Sequence, residues 1–306
     1  MVNLGYSRKP LEGVFVLLPL PTNENQQIDF DSLRNNITYL SDSGVQGVIA
    51  LGSMGEFYSV SSKEFDSVVD VVVDSTRDKI ASVIGCSYQN LNECLRRTKY
   101  AENAGADGAM IMPPYYLDVT LNEAFNYYQL LDQSISDIQI MVYNFPPASK
   151  INITPELWDD LVSLNSIKAV KESHGDLNHV TRLLTKHRNR VNVFAGSEMW
   201  TLPMSLLGAK GVVSIFGPGL PKFVINFYKN CVNKNLDDAI IMHRLFVEAG
   251  FFITTNNEVG WLKALAEICG RNPGYPRFPY SPLSDEEYGL LSDWVSSLKN
   301  KFPNYV

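Results

Sequence analysis

Eight short apolar runs, each followed by a stretch with helical periodicity, constrain this 306-residue chain more than anything else in it. The runs are GVFVLLPL (13–20), GVIALG (47–52), IASVIGC (80–86), GAMIMPP (108–114), IQIMVYN (138–144), IKAVKES (167–173), VNVFAGS (191–197) and GVVSIFG (211–217). They are continuous rather than alternating, the pattern of parallel strands covered on both faces. Strand then helix, eight times, predicts an α/β protein built as a (β/α)8 TIM barrel. An open doubly wound sheet competes, but no dinucleotide-type G-x-G-x-x-G follows the first run.

Local signals agree with this reading. Residues 154–165 open with Thr154 as N-cap and Pro155 at the first helical position. Ser61 or Ser62 caps a helix with apolar positions at 65, 68, 69, 72 and 73. NAGADG (103–108) and LLGAKG (206–211) end helices where glycine can turn left-handed. Beyond the eighth run, 221–232, 235–256, 258–270 and 284–300 read as helices, with a Pro/Gly-rich connector at 270–284. The expected organisation is a barrel over 1–220 with a C-terminal helical extension over 221–306 packed on it.

Composition removes several function classes. The hydrophobic share of 45% and charged share of 19% are those of an ordinary globular protein. A net charge of −7 gives no basic face for nucleic acid or an anionic membrane. No apolar run approaches the ~20 residues of a membrane span, and the first residues, MVNLGYSRKPLEG, lack the apolar centre of a secretory signal. Cys86, Cys94, Cys231 and Cys269 are far apart and read as reduced packing residues of a cytoplasmic protein. His174, His179, His187 and His243 lack metal-ligand spacing and read as surface or capping residues. Neither a metal nor a cofactor is expected.

In a barrel, chemistry collects at the C-terminal ends of the strands. Those ends here are GSMGEF (52–57), PPYY (113–116), YNFPP (143–147), Lys171 and GSE (196–198). A lysine ending an apolar run has two readings: the solvent edge of a strand, or a nucleophile. An amine attacks a ketone only when neutral, and a low-dielectric barrel mouth disfavours an ammonium. The protonated imine that results is an electron sink for making or breaking an adjacent carbon–carbon bond. Alternation places Ile167, Ala169 and Lys171 on one face, and Gln139, Met141 and Tyr143 on another, so Lys171 and Tyr143 can meet at one end of adjacent strands. A phenol there supplies a proton relay, and the N–H groups of a glycine-flanked loop suit a carboxylate.

The set GSMGE, PPYY, YNFP, VKES and FAGSE, in this order and spacing, with the closing PRFPYSPLSDEE (276–287), resembles the dihydrodipicolinate synthase / N-acetylneuraminate lyase family over essentially the whole chain. The resemblance implies a class I aldolase in which Lys171 forms a Schiff base with pyruvate or another 2-keto acid. It makes Tyr143 the general acid/base, Ser53 the next relay hydroxyl, and Tyr116 a tyrosine lent across a subunit interface. It implies a homotetramer, a dimer of dimers. Met54 stands where many members have a second hydroxyl, leaving the loop N–H groups, beside Gly52, to hold the carboxylate. Gly55 and Glu56 are expected to fix this loop. Tyr115 is expected to pack at an interface, and Asn144, Ser173 and Gly196 to line the pocket. Glu198 either caps a loop or accepts a substrate hydroxyl.

The synthase branch has an arginine five residues after the relay tyrosine; here that position is Ala148, and Lys150 is a poor geometric substitute. Small residues at 147–149 leave room for a polyol, with Glu198 and Ser173 as its partners. The first expectation is therefore cleavage of a 2-keto-3-deoxy sugar acid to pyruvate and an aldehyde. N-acetylneuraminate lyase fits less well, because only Glu198 is acidic after Gly196 and Ser197. Dihydrodipicolinate synthase, a hydratase-aldolase, a dehydratase and a non-catalytic keto-acid-binding regulator remain alternatives.

Overall fold

The computed structural model describes residues 8–252 and 257–306, with the side chains of 251 and 252 outside that description. Its centre is a closed barrel of eight parallel strands in chain order. These are β1 (Gly13–Leu17), β2 (Gly47–Ala50), β3 (Ala81–Gly85), β4 (Gly108–Ile111), β5 (Gln139–Asn144), β6 (Ile167–Glu172), β7 (Asn192–Ala195) and β8 (Gly211–Ser214). Pairing of β8 with β1, from Gly13↔Gly211 to Val16↔Ser214, closes the ring and leaves no edge. All eight fall within the runs read from the sequence, and all but β5 stop sooner, because the chain leaves the ladder for the loops of the barrel rim.

Around the strands lie α1 (Phe30–Asp42), α2 (Ser62–Thr76), α3 (Leu91–Ala104), α4 (Leu121–Ser134), α5 (Pro146–Ser149), α6 (Pro155–Leu161), α7 (Leu177–His187) and α8 (Glu198–Leu207). Ser61, not Ser62, caps α2, in a reciprocal capping box with Glu64. Thr154 caps α6 as expected, though that helix ends by Leu161. Gly105 and Gly208 end α3 and α8 at φ 104° and 105°.

Core volume is set by pairing large rings with glycine. Phe15 and Phe194 meet edge to face at 5.3 Å. A Cβ on Gly47 or on Gly211 would sit 2.3 Å from one of these rings, so both glycines leave the space the rings fill. The extension consists of α9 (Pro221–Asn233), α10 (Leu236–Phe252), α11 (Glu258–Ile268) and α12 (Asp285–Lys301). The helix expected to run to residue 256 has its last four positions outside the described residues. Phe216, just past β8, packs at 4.9 Å against both Phe246 and Trp261 and at 5.6 Å against Trp294. One buried aromatic thus joins three extension helices to the barrel.

Between β5 and β6 the register shifts: Ile140 pairs with Ile167 and Met141 with Ala169. Lys168 is the extra residue of this bulge and is exposed. Beyond the bulge, Tyr143 pairs with Lys171 and Asn144 with Glu172.

Candidate active site

A cavity of about 310 Å³ opens at the C-terminal ends of the strands. Lys171 and Tyr143 point into it, and both are buried. Their equal register brings the amine over the phenol ring, with Nζ 4.1 Å from the ring centroid. Phe145, also on the cavity wall, stacks on Tyr143, its ring 3° from the Tyr143 plane at 5.7 Å. The Tyr143 ring thus has a parallel ring and the lysine amine as neighbours.

Ser53 and Met54 enter from the loop after β2. That loop is wound tightly: the Gly52 carbonyl accepts from the Gly55 and Phe57 N–H groups, and the Ser53 carbonyl from the Glu56 N–H. Among the described residues, the Ser53 and Met54 N–H groups have no acceptor of their own. Two adjacent free donors beside a lysine suit a carboxylate. A Cβ on Gly55 would come within 2.9 Å of the Leu51 nitrogen. Glu56 takes a left-handed conformation, φ 59°, and is fully buried. Its carboxylate accepts from the Arg277 N–H at 2.7 Å and lies 2.8 Å from Lys263 Nζ of α11. Burial lowers the Lys263 pKa against the pull of Glu56. Gly55 and Glu56 thus fix the loop, as expected, by tying it to the extension.

The opposite wall carries Ser173, Gly196 and Ser197. Gly196 donates to the Glu172 carbonyl at 2.9 Å, and a Cβ there would lie 2.0 Å from Ser173 Oγ. Only glycine lets the two loops approach this closely.

Five residues singled out from the sequence lie off the cavity wall. Glu198 is not on the pocket wall. It opens α8, turns back beneath the loop after β8, and accepts from Ser214 Oγ and, at 3.3 Å, from the Ile215 and Phe216 N–H groups. Full burial raises its pKa to about 7 against these hydrogen bonds. Of the two readings of Glu198, loop cap is the one the contacts support. Gly52 shapes the loop through its carbonyl and does not face the cavity. Ala148 lies on the short α5 packed against the core, outside the wall, because the turn starting at Pro146 carries it away. Tyr116 is 72% exposed on the outer surface, away from the cavity of its own chain. Asn144, expected to line the pocket, instead faces outward from the barrel.

The histidine reading also changes. His179 and His187 are buried. The rings of His174 and His179 lie 5.2 Å apart, because His174 sits in the loop before α7 and the helical-face argument does not govern it. His187 pairs with Asp159 at 2.8 Å. Sequence reasoning passed over Glu172, the neighbour of Lys171. Alternation turns it outward, where it accepts from Asn144 Nδ2 at 3.0 and 2.9 Å and from the His174 N–H at 2.8 Å, with His179 Nε2 at 3.3 Å. This buried cluster locks the ends of β5 and β6 together and so holds Tyr143 and Lys171 from behind. Among the described residues no His/Cys/Asp/Glu group has metal-binding geometry, and no helix is long and apolar enough to cross a membrane.

The model of the dihydrodipicolinate synthetase family matches residues 10–298. The chain belongs to that family. It is 32% identical over 293 residues to a 4-hydroxy-tetrahydrodipicolinate synthase of Methanothrix thermoacetophila, covering 94% of this chain and 97% of the relative. A second relative of the same name, from Methanospirillum hungatei, is 32% identical over 291 residues, covering 93% and 98%. A crystal structure of a putative dihydrodipicolinate synthetase from Pseudomonas aeruginosa superposes with a TM-score of 0.89 at 26% identity, covering 94% of this chain and 99% of that one. As a member of the dihydrodipicolinate synthetase family, the chain is an enzyme of the class I aldolase type, a carbon–carbon lyase working through a lysine Schiff base.

Proposed function

We propose that Lys171 forms an imine with pyruvate or a similar 2-keto acid, and that the enzyme makes or breaks a carbon–carbon bond to a neutral aldehyde. The observation behind this reading is the buried Lys171 amine lying 4.1 Å from the Tyr143 ring centroid, beside two unengaged N–H groups. In the proposed sequence the amine adds to the keto carbon and the carbinolamine loses water to give the imine. Tyr143, with Ser53 next in the relay, moves the proton that the departing oxygen needs. The Ser53 and Met54 N–H groups hold the keto acid's carboxylate. Loss of a proton from the carbon next to the imine gives an enamine, which bonds to the aldehyde carbon as the aldehyde oxygen takes a proton. Water then releases the product and restores the amine. The reverse sequence is cleavage of a 2-keto-3-deoxy acid, the sugar acids being the class expected.

Ser173 and Gly196 line the side of the cavity where the aldehyde would sit. Glu198 is withdrawn from that role. Tyr116 is proposed to complete the relay of a second copy, and its exposure is compatible with an interface in a dimer of dimers. The neutral-aldehyde reading draws support from Ala148 and from Lys150, whose Nζ donates to the Tyr116 carbonyl at 2.8 Å outside the cavity. A second reading, condensation with aspartate semialdehyde, is favoured by the names of the relatives. Specificity constants for pyruvate with glyceraldehyde and with aspartate semialdehyde, on one preparation, decide between them. A faster reaction with glyceraldehyde is expected. Faster condensation with aspartate semialdehyde, by about tenfold or more in rate, defeats the neutral-aldehyde reading.

A further inference from the structure

Charge on the cavity wall is sparse. Among the described residues that line it, the ionisable cation is Lys171 and the carboxylate is Glu258, with Leu17, Met54, Met199, Trp200 and Ile215 supplying apolar surface. The residues between Gly250 and Asn257, FFITTN, carry no ionisable side chain in the sequence. Once Lys171 is bound as an iminium against the keto acid's own carboxylate, Glu258 is the uncompensated charge among the described residues of the mouth.

The extension fixes the backbone of Glu258, and its side chain is exposed to solvent at the mouth. Glu258 begins α11, whose cap Asn257 accepts from the Gly260 N–H at 3.0 Å and donates to the Ser281 carbonyl at 2.8 Å. Five residues on, Lys263 donates to the Leu20 carbonyl at 2.8 Å and the Tyr275 carbonyl at 2.5 Å, and pairs with Glu56 of the pocket loop. One short helix therefore anchors the keto-acid loop at Lys263 and presents a carboxylate to the cavity at Glu258. Beside it, Gly250 gives room to Met199: a Cβ there would stand 2.6 Å from the Met199 sulfur.

Resting on the Schiff-base reading above, we propose that Glu258 is a specificity-determining residue that selects the second substrate by charge. It rejects an aldehyde whose remaining charge is a carboxylate and accepts hydrogen bonds from one carrying neutral hydroxyls. A like charge at this wall raises the energy of the encounter and of the bound aldehyde, while hydroxyl donors satisfy the carboxylate.

The test measures kcat/KM for pyruvate with glyceraldehyde and with succinic semialdehyde, which has a carboxylate and no ammonium, in the wild-type chain and in Glu258→Gln and Glu258→Arg. The ratio of succinic semialdehyde to glyceraldehyde is expected to rise about tenfold in Glu258→Gln, further in Glu258→Arg, and less at high ionic strength. A ratio unchanged in both variants overturns the proposal, as does a wild-type chain that turns over no glyceraldehyde. Borohydride trapping of pyruvate on the wild-type chain separates the two levels. Without an adduct on Lys171 the Schiff-base reading fails and this inference with it. With that adduct and an unchanged ratio, only the role of Glu258 fails.

Discussion

Lys171 and Tyr143 share one register position on neighbouring strands, so the backbone sets their separation before either side chain selects a rotamer. That makes Tyr143→Phe a clean substitution: it keeps the stacking on Phe145 and the contact with the lysine and removes only the hydroxyl. The variant is expected to fold normally and to lose roughly 10²–10⁴ in turnover, the scale of one positioned acid/base. Circular dichroism with steady-state rates checks both halves. Turnover like that of the wild type would reduce Tyr143 to a packing residue. These two residues were legible in the sequence because each ends a strand, and a strand end in a barrel can only face the mouth or the surrounding helices. Ser53, Met54, Ser173 and Gly196 were found on the cavity wall by the same logic. Glu172 was equally implied by alternation, but a carboxylate turned away from the mouth has no motif to mark it.

Glu198 shows where the logic of strand ends stops. Helix α8 begins at that residue, so its side chain follows helical geometry and reaches the loop after β8 instead of the cavity. Burial raises its pKa from 4.5 to about 7. The folded chain thus holds this proton more tightly than the unfolded chain does. The corresponding stability is fully present below about pH 4.5 and is lost as pH rises through about 7. Glu198→Gln, which cannot ionise, should gain on the wild type by up to about 3 kcal/mol across that window, read from urea midpoints at a series of pH values. A stability difference that does not change with pH would contradict the assignment. Ala148 left the wall, and Tyr116, expected across a subunit interface, stands off it, for a similar reason. Each lies beyond its strand end, on α5 or in the loop after β4, where periodicity no longer tells direction.

At the scale of the whole molecule, the barrel gathers eight strand ends on one rim, and the extension closes part of that rim with α11. The first of these was legible from the eight repeated runs. The second was not: periodicity showed that 258–270 is a helix but not that its first residue faces the cavity while Lys263 holds the loop around Glu56. The aromatic cluster on Phe216 and the buried pair of Lys263 and Glu56 are long-range contacts, and no local pattern encodes them. The same architecture makes the central claim selective, since Lys171 is the lysine on the described cavity wall. Pyruvate and borohydride, followed by digestion and mass measurement, test it most directly. The account predicts one reduced pyruvyl adduct per chain, on the peptide containing Lys171, and none in Lys171→Ala. An adduct on a different lysine, or one that persists in Lys171→Ala, would contradict it.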